Sequence, residues 1–532
     1  MTEATADFVI AGAGSAGAVL AARLTENPAV RVILIEAGRD RSSNLLVTMP
    51  AGAFAMMGRP GFDWAYQSEP DPSINGRTMG WSGGQMLGGS SGINGLVYVR
   101  GNREDYDRWE TAGARGWGWQ SMLPFFLKAE NYQGPSSQFH GQLGPLVVGR
   151  ANERHPISDA VIGAFVNQGV PQLDEYCAGD QLGVYDILTT AAGGRRRSVA
   201  VTYLEEARKR PNLIIMTETL VDKVILENGR AVGLSVIRGN EAREVRARET
   251  IISGGAIQSP AVLMRSGIGP ASHLQNMGIN VVADLPVGKN LQDHCGLSIS
   301  KLVDVPTYNS PFSAWTISRD LTRWLFTKKG PMASATVHVM AGLKSSPDLN
   351  ETDISVSFIP LAIDFSGGVP AMHKKPGITL GGTCMRPESR GEIRLRSTDP
   401  HDKPVIDHRL LSDERDVARL VYFGRFIEKI YRTQPLASHV VGNNLPVEIP
   451  ENDAEWIALI RETASIGYHA AGTCAMGGAE AVLDPDLAVR GIAGLHVVDA
   501  SVMPSLVSGN TNAATIAIAE RAAMLLQNKS AS

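Results

Sequence analysis

The stretch at residues 7–38, DFVIAGAGSAGAVLAARLTENPAVRVILIEAG, constrains the fold more than any other part of the chain. A short apolar run ends at Ala11, and Gly12-Ala13-Gly14-Ser15-Ala16-Gly17 follows without a gap. Ala16, Leu20 and Leu24 then recur at helical spacing, and a second apolar run over 30–35 ends in Glu36. Strand, tight turn, helix, strand and terminal acid in this order form a dinucleotide-binding fingerprint. Gly12 permits the turn, Gly14 lets the backbone approach a pyrophosphate, and Gly17 lets helix and strand pack closely. The free N–H groups and positive dipole end of the helix start face the diphosphate. Glu36, 19 residues beyond Gly17, is placed to accept hydrogen bonds from a ribose. Its charge would repel a 2′-phosphate, so FAD or NAD is favoured over NADP.

At 532 residues the chain is too long for one simple core, and two interleaved domains are expected. Its composition, 43% hydrophobic and 20% charged, is that of an ordinary globular protein, and a net charge of −4 speaks against nucleic acid as a partner. The one tight basic run, Arg195-Arg196-Arg197, reads as a solvated loop or a structural ion pair. The opening MTEATAD carries acids rather than a basic leader, so no secretory signal is expected. Every long apolar run is broken by Pro, Gly or charge before it reaches membrane-spanning length. Cys177, Cys295, Cys384 and Cys474 lie far apart with no CxxC spacing, which fits reduced thiols in a cytoplasmic protein. The 11 histidines show no HExxH or other metal spacing, so no metal is expected.

Residues 45–75 read as an irregular surface excursion. A second glycine-dense stretch follows at 81–102, WSGGQMLGGSSGINGLVYVRGN, whose backbone can lie close to a flat ligand before it runs into a strand at 96–99. Trp109, Trp117 and Trp119 read as packing aromatics, and His140 as structural. Residues 156–210 read as helix, polar loop and helix. Strands follow over 212–233, with Asn228-Gly229 as a hairpin turn. The stretch 248–269 repeats strand, Gly-Gly turn and helix without the full phosphate fingerprint, and so braces the first sheet. From about 300 to 450 short alternating runs such as 353–359 and 392–396 suggest an antiparallel sheet. The end of the chain returns to a strand at 495–498, Asp499, and an alanine-rich helix over 512–526 with Thr511 as N-cap. The expected class is therefore α/β (α+β overall). A Rossmann-like domain comprises residues 1–155, 211–298 and 455–532, and a second domain, on an antiparallel sheet with flanking helices, comprises 156–210 and 299–454.

Two short segments carry plausible reactive groups, GYHAAGT at 467–473 and SGNTN at 508–512. A histidine among small residues is often structural, and Asn510 could simply cap the last helix. The chain as a whole, however, resembles the glucose-methanol-choline (GMC) oxidoreductases along almost its full length. The matching motifs are GAGSAG with IEAG, GGQMLGGSSGINGLVYVRGN, GGAIQSPAVLMRSGIGP, VGKNLQDH, RPESRGEIRLRSTDP, GYHAAGTCAMG and VVDASVMPSLVSGNTNAATIAIAERAA. The choline-dehydrogenase-like bacterial branch is the most similar.

The resemblance implies FAD at Gly12, Gly14, Ser15 and Ala16, with Glu36 and Ala37 at the adenosine ribose and Val221 near the adenine. It places Leu87, Gly88, Ser91, Asn94, Gly95 and Val97 along the pyrophosphate and isoalloxazine, and Asp499 and Ala500 beside the ribityl and phosphate groups, while the dipole end of the helix at Asn512 would stabilise the anionic reduced flavin. His469 and Asn510 match the family's catalytic pair. Their implied roles are base for the hydroxyl proton and amide donor to the substrate oxygen, while the hydride passes to flavin N5. Where some members tether the flavin through a histidine, this chain has Ile93, so non-covalent FAD is implied. The implied reaction is oxidation of an alcohol, expected to be primary and aromatic or otherwise apolar, to the aldehyde. O2, or a quinone or dye, would serve as electron acceptor. Alternatives are a choline or sugar-alcohol dehydrogenase, a hydroxynitrile lyase on the same fold without redox turnover, and an NAD-dependent dehydrogenase. Tyr468, Phe312, Trp315 and Phe358, with Met56 and Val337, are the candidate pocket residues. No acidic-aromatic cage for choline's cation emerges from the spacing.

Overall fold

A computed structural model describes residues 6–151, 153–309, 313–364 and 371–531. The first five residues and Phe312 lie outside them. The opening fingerprint forms as read: strand β1 (Ala6–Ala11), helix α1 (Ser15–Leu24) and strand β2 (Val32–Ile35). Strands β3 (Leu213–Met216), β4 (Thr219–Glu227), β5 (Arg230–Arg238) and β6 (Glu241–Ile252) join them in the order β3-β2-β1-β6-β5-β4. The strand Leu495–Val497 adds to β6 in parallel, so the two ends of the chain share one sheet. Asn228 and Gly229 both have positive φ (49° and 78°), as a tight hairpin turn between β4 and β5 demands. In register, Ala11 lies beside Ile35 of β2 and Ile252 of β6, so all three strands end on one line. Gly12, Glu36 and Ser253 follow them directly, and this edge is where a parallel sheet binds nucleotides. Helix α2 (Gly255–Arg265) starts from the same edge.

The second sheet is antiparallel. It comprises β7 (Cys295–Val303), β8 (Val339–Leu343), β9 (Ile354–Ile359), β10 (Gly377–Cys384) and β11 (Val440–Leu445), in the order β8-β9-β10-β7-β11. Helix α3 (Ala314–Thr327) follows β7 in the chain, and helix α4 (Glu414–Tyr431) covers one face of the sheet. A Cβ on Gly382 would strike the Phe423 ring of α4, and the Tyr431 hydroxyl donates to Ile299 O at 2.9 Å. Residues of that parity therefore face α4. Those of opposite parity form a small-residue grid, with Ser357 beside Gly381 and Ser298, and Ser355 beside Thr383 and Gly296. This face looks onto the nucleotide edge of the first sheet.

Helix α5 (Thr511–Ala531) begins one residue earlier than the alanine pattern suggested. It is locked to α1 through buried Glu520, whose carboxylate accepts from Arg23 Nε at 2.8 and 2.9 Å and from the Tyr203 hydroxyl at 2.7 Å. The three tryptophans are buried, and the indoles of Trp109 and Trp117 donate to Ser505 O and Pro485 O, each at 2.8 Å. His140 is held between Glu130 (2.9 Å) and Glu175 (2.8 Å) and stacks on Tyr132. The four cysteines are free and buried.

Three local expectations need correction. The segment after residue 45 is a surface excursion only in part: Leu45 and residues 58–60 are exposed, but it also forms short helices at Leu45–Thr48 and Ala53–Met56, and Ala53, Phe54 and Met57 line the central cavity. Between the helices Ser158–Asn167 and Tyr203–Ala207 lie two- to four-residue strands rather than a plain loop. Arg196 is buried and has no ion-pair partner among the described residues. Its buried guanidinium donates to the carbonyls of Val47, Ser91, Asn94 and Pro50 and to Asn94 Oδ1, at 2.7–3.5 Å. Among the described residues no helix is long and apolar enough to cross a membrane.

Candidate active site

One cavity of about 500 Å3 runs between the two sheets. At its first end, Gly12, Gly14, Ser15 and Ala16 form the turn into α1. Gly12 has φ +99°, and any Cβ there would collide with Ser253 O; a Cβ on Gly17 would collide with Gly12 O. Gly14, at the N-cap of α1, supplies no side chain to the first N–H groups, which stay free for a ligand. Buried Glu36 accepts Ala13 N–H on Oε2 (3.0 Å) and Gly38 N–H on Oε1 (2.8 Å). Each oxygen keeps a second lone pair for a ribose hydroxyl. Burial pushes this carboxyl up to about 7 against the two backbone bonds. Ala37 and Val221 line the same end.

The middle is built from backbone. Gly89, Ser90, Asn94, Gly95 and Val97 line it, as do Gly254, Gly255 and Ala256 at the start of α2 and Thr511 and Asn512 at the start of α5. Three helix starts thus converge on one cavity with no lysine or arginine lining it among the described residues, so a diphosphate would be held by N–H groups and dipoles. Asp499 lines the cavity beside Ala500 and is buried, which raises its carboxyl against bonds from Ser259, Ser501 and Gly255. Leu87, Gly88 and Ser91 do not line the cavity themselves. Leu87 is buried away from the cavity, Gly88 N–H ties the glycine loop to Ala13 O at 2.8 Å, and Ser91 Oγ donates to Gly88 O at 2.6 Å. Their neighbours Gly89 and Ser90 line the cavity in their place.

At the far end His469 and Asn510 meet. Asn510 Nδ2 lies 2.8 Å from His469 Nε2, and His469 Nδ1 lies 2.8 Å from His294 Nδ1. Hydrogen-bond accounting fixes the protons. His294 Nε2 faces two carbonyls, Met385 O at 3.0 Å and Val507 O at 3.1 Å, so it carries a hydrogen and its Nδ1 accepts. His469 Nδ1 must then donate, which leaves a lone pair on His469 Nε2, where Asn510 donates. Burial, reinforced by His294, holds His469 well below the usual histidine range, and burial pulls His294 down to about 4. Asp293 Oδ1 accepts the His469 N–H at 2.9 Å and anchors the backbone. Tyr468, which lines the cavity, sits in left-handed backbone at φ +61°, a strained setting for a non-glycine residue.

The remaining walls are the serine grid of the second sheet, apolar side chains, and the aromatic rings of Trp64, Tyr66, Trp81 and Tyr468. Ser298, Ser355, Ser357, Thr336 and Thr383 face the cavity, together with Phe54, Met57, Val337, Met340 and Ile359. Phe358 is displaced from its expected place. Alternate residues of β9 face opposite ways, so Ser357 and Ile359 line the cavity while Phe358 packs in the core. Met56 is likewise core, packed with Val47, Phe62, Met86 and Ile93. Trp315 is 70% exposed on α3 and belongs to the surface. Among the described residues, Glu36 and Asp499 are the only carboxylates that line the cavity, and both stand on the nucleotide side.

A dinucleotide cradle and a histidine–amide pair in one cavity define a flavin-dependent oxidoreductase. The chain belongs to the GMC oxidoreductase family, whose profiles match residues 6–296 and 387–519. It is 38% identical to human mitochondrial choline dehydrogenase over 541 residues, covering 98% of this chain and 90% of that protein. It is equally 38% identical to an alcohol dehydrogenase [acceptor] of Pseudomonas putida over 533 residues (98% and 96% covered). Pyridoxine 4-oxidase from Mesorbium loti superposes with a TM-score of 0.89 at 32% identity, covering 98% of this chain and 99% of that one. FAD is the cofactor, and the free N–H groups, paired carboxylate oxygens and absent Cβ atoms of the cradle fit it.

Proposed function

We propose that the protein oxidises a neutral primary alcohol, apolar or aromatic, to the aldehyde, with His469 as the base and Asn510 as the oxygen-positioning donor. The observation that carries this reading is the unprotonated His469 Nε2, fixed by His294 and presented beside an amide N–H. Oxidation removes the hydroxyl proton and a hydride from the same carbon. His469 Nε2 takes the proton, and its depressed pKa keeps it neutral and ready at any pH near 7. Asn510 Nδ2 donates to the same oxygen as negative charge develops, without giving up a proton. FAD, when bound, supplies the hydride acceptor. Ile93, which lines the cavity, offers no nucleophile for a covalent link, and this supports dissociable FAD.

Neutrality of the substrate rests on the lack of a carboxylate on the second-sheet wall among the described residues, although aromatic rings do line the cavity. A quaternary ammonium is best recognised by aromatic faces and a carboxylate. The second-sheet side presents serines, threonines and apolar groups and no acid among the described residues. Choline is therefore a poor substrate in this reading, despite the choline dehydrogenase among the relatives. The test is an anaerobic panel of benzylic alcohols, linear alcohols, a hexitol and choline, read as bleaching of the yellow protein and repeated with oxygen. Fastest bleaching by a neutral apolar alcohol is expected. Fastest bleaching by choline would overturn the substrate class, and cyanohydrin cleavage without any bleaching would overturn the redox reading.

A further inference from the structure

Helix α3 rests on the protein by one edge. Trp324 is buried against Met49 and Ala333, and its indole donates to Gly194 O at 2.7 Å. The opposite edge carries Trp315, 70% exposed, and Phe326, 85% exposed. At about 1.5 Å rise per residue these rings stand roughly 16 Å apart on one face. Ser318, Arg319 and Thr322 lie between them, and the Arg319 guanidinium sits 5.4 Å over the Trp315 ring. Arg323, Lys328 and Lys329 continue the helix and its exit, and Arg195 flanks the carbonyl that anchors Trp324. Against these five cations stand Asp320, paired to Arg319, and Glu153, which accepts Gly330 N–H. This local excess sits on a chain whose net charge is −4.

We propose that this outward face docks on an anionic lipid bilayer. Isolated aromatic rings at both ends of a helix, with arginine and lysine between and around them, match the headgroup boundary, where rings insert and cations meet lipid phosphates. A second copy of the chain is a less suitable occupant, because the span between the two rings is polar rather than a continuous apolar core. The face also adjoins the active site. Leu46 and Met49 pack under the helix, and their segment continues into Ala53, Phe54 and Met57 of the cavity wall. Docking would therefore set the substrate cavity beside the membrane, where apolar alcohols concentrate.

The test is co-sedimentation of the holoenzyme with phosphatidylcholine vesicles, with and without phosphatidylglycerol. Binding is expected only to the anionic vesicles and is expected to weaken severalfold at high salt. The Trp315→Ser/Phe326→Ser double variant should lose about tenfold or more in partitioning. A Val441→Ser/Val447→Ser control, which alters two other exposed aliphatics, should not. Both substituted pairs are exposed, and retained flavin absorbance checks the fold. Wild type that stays in the supernatant with anionic vesicles would overturn the proposal, as would equal loss in the control. So would a wild-type dimer in solution that the Trp315→Ser/Phe326→Ser variant converts to monomer.

Discussion

Replacing His294 with Leu tests how the base is prepared. His294 never reaches the substrate; it acts by holding His469 in the tautomer with a free Nε2 lone pair. The substitution removes the 2.8 Å acceptor of His469 Nδ1–H and the donor shared by Met385 O and Val507 O. A buried hydrogen bond of this kind is worth about 1–1.5 kcal/mol net, and a donor left unsatisfied costs about 1–3 kcal/mol. At about 1.4 kcal/mol per tenfold, flavin reduction should slow by roughly ten- to a hundredfold. The pH dependence separates this from general damage. His294 is the second cause, after burial, of the depressed His469 pKa, so its loss lets that pKa rise toward the ordinary value. In the wild type, reduction should stay flat as pH falls below the usual histidine range. In the variant it should decline at higher pH than in the wild type, as His469 takes up a proton. The assay is anaerobic stopped-flow bleaching of the variant with FAD bound. An unchanged rate and an unchanged acid limb, in a background where His469→Ala is inactive, would refute the reasoning.

Other outcomes follow from the same geometry. Gly17→Ala should destabilise even the FAD-free protein by a few kcal/mol, because its Cβ has no room against Gly12 O. Gly14→Ala should leave the FAD-free protein folded and weaken FAD alone, since its Cβ meets nothing nearer than Gly89 Cα at 3.9 Å; thermal melting and FAD titration tell the two apart. Arg196→Gln should lower the melting temperature and raise the FAD dissociation constant about tenfold or more, because the charged bonds that hold Asn94 and the glycine loop are each worth about 1.5–3 kcal/mol. Ser357→Glu should shift the ratio of kcat/KM for choline over a neutral alcohol upward, by supplying the carboxylate the wall lacks.

What could be read from the sequence was whatever local chemistry fixes by itself. The glycine turn with Glu36, the Asn228-Gly229 hairpin, and the small-residue contexts of His469 and Asn510 each carry their signal within a few residues. What could not be read depends on parity, facing direction or long-range contact. Phe358 and Ser357 are adjacent in one strand, and only the register with Gly381 and Ser298 decides which faces the cavity. Gly88 and Ser91 match the flavin motif as well as Gly89 and Ser90 do, yet they spend their polar groups on Ala13, Gly88 and Val199. Trp315 looks like a core or pocket ring until α3 is seen to rest on its other edge. His294 stands within VGKNLQDH, 175 residues before His469, and nothing local marks it as the partner of that ring.

The most direct test of the central claim is single-turnover flavin reduction by a neutral primary alcohol in wild type, His469→Ala and Asn510→Ala, each loaded with FAD. The account predicts rapid bleaching of the wild type. It predicts a loss of about 100-fold or more for Asn510→Ala, the scale of one removed oxyanion donor, and a larger loss for His469→Ala. Wild-type bleaching by His469→Ala with its flavin in place would contradict it.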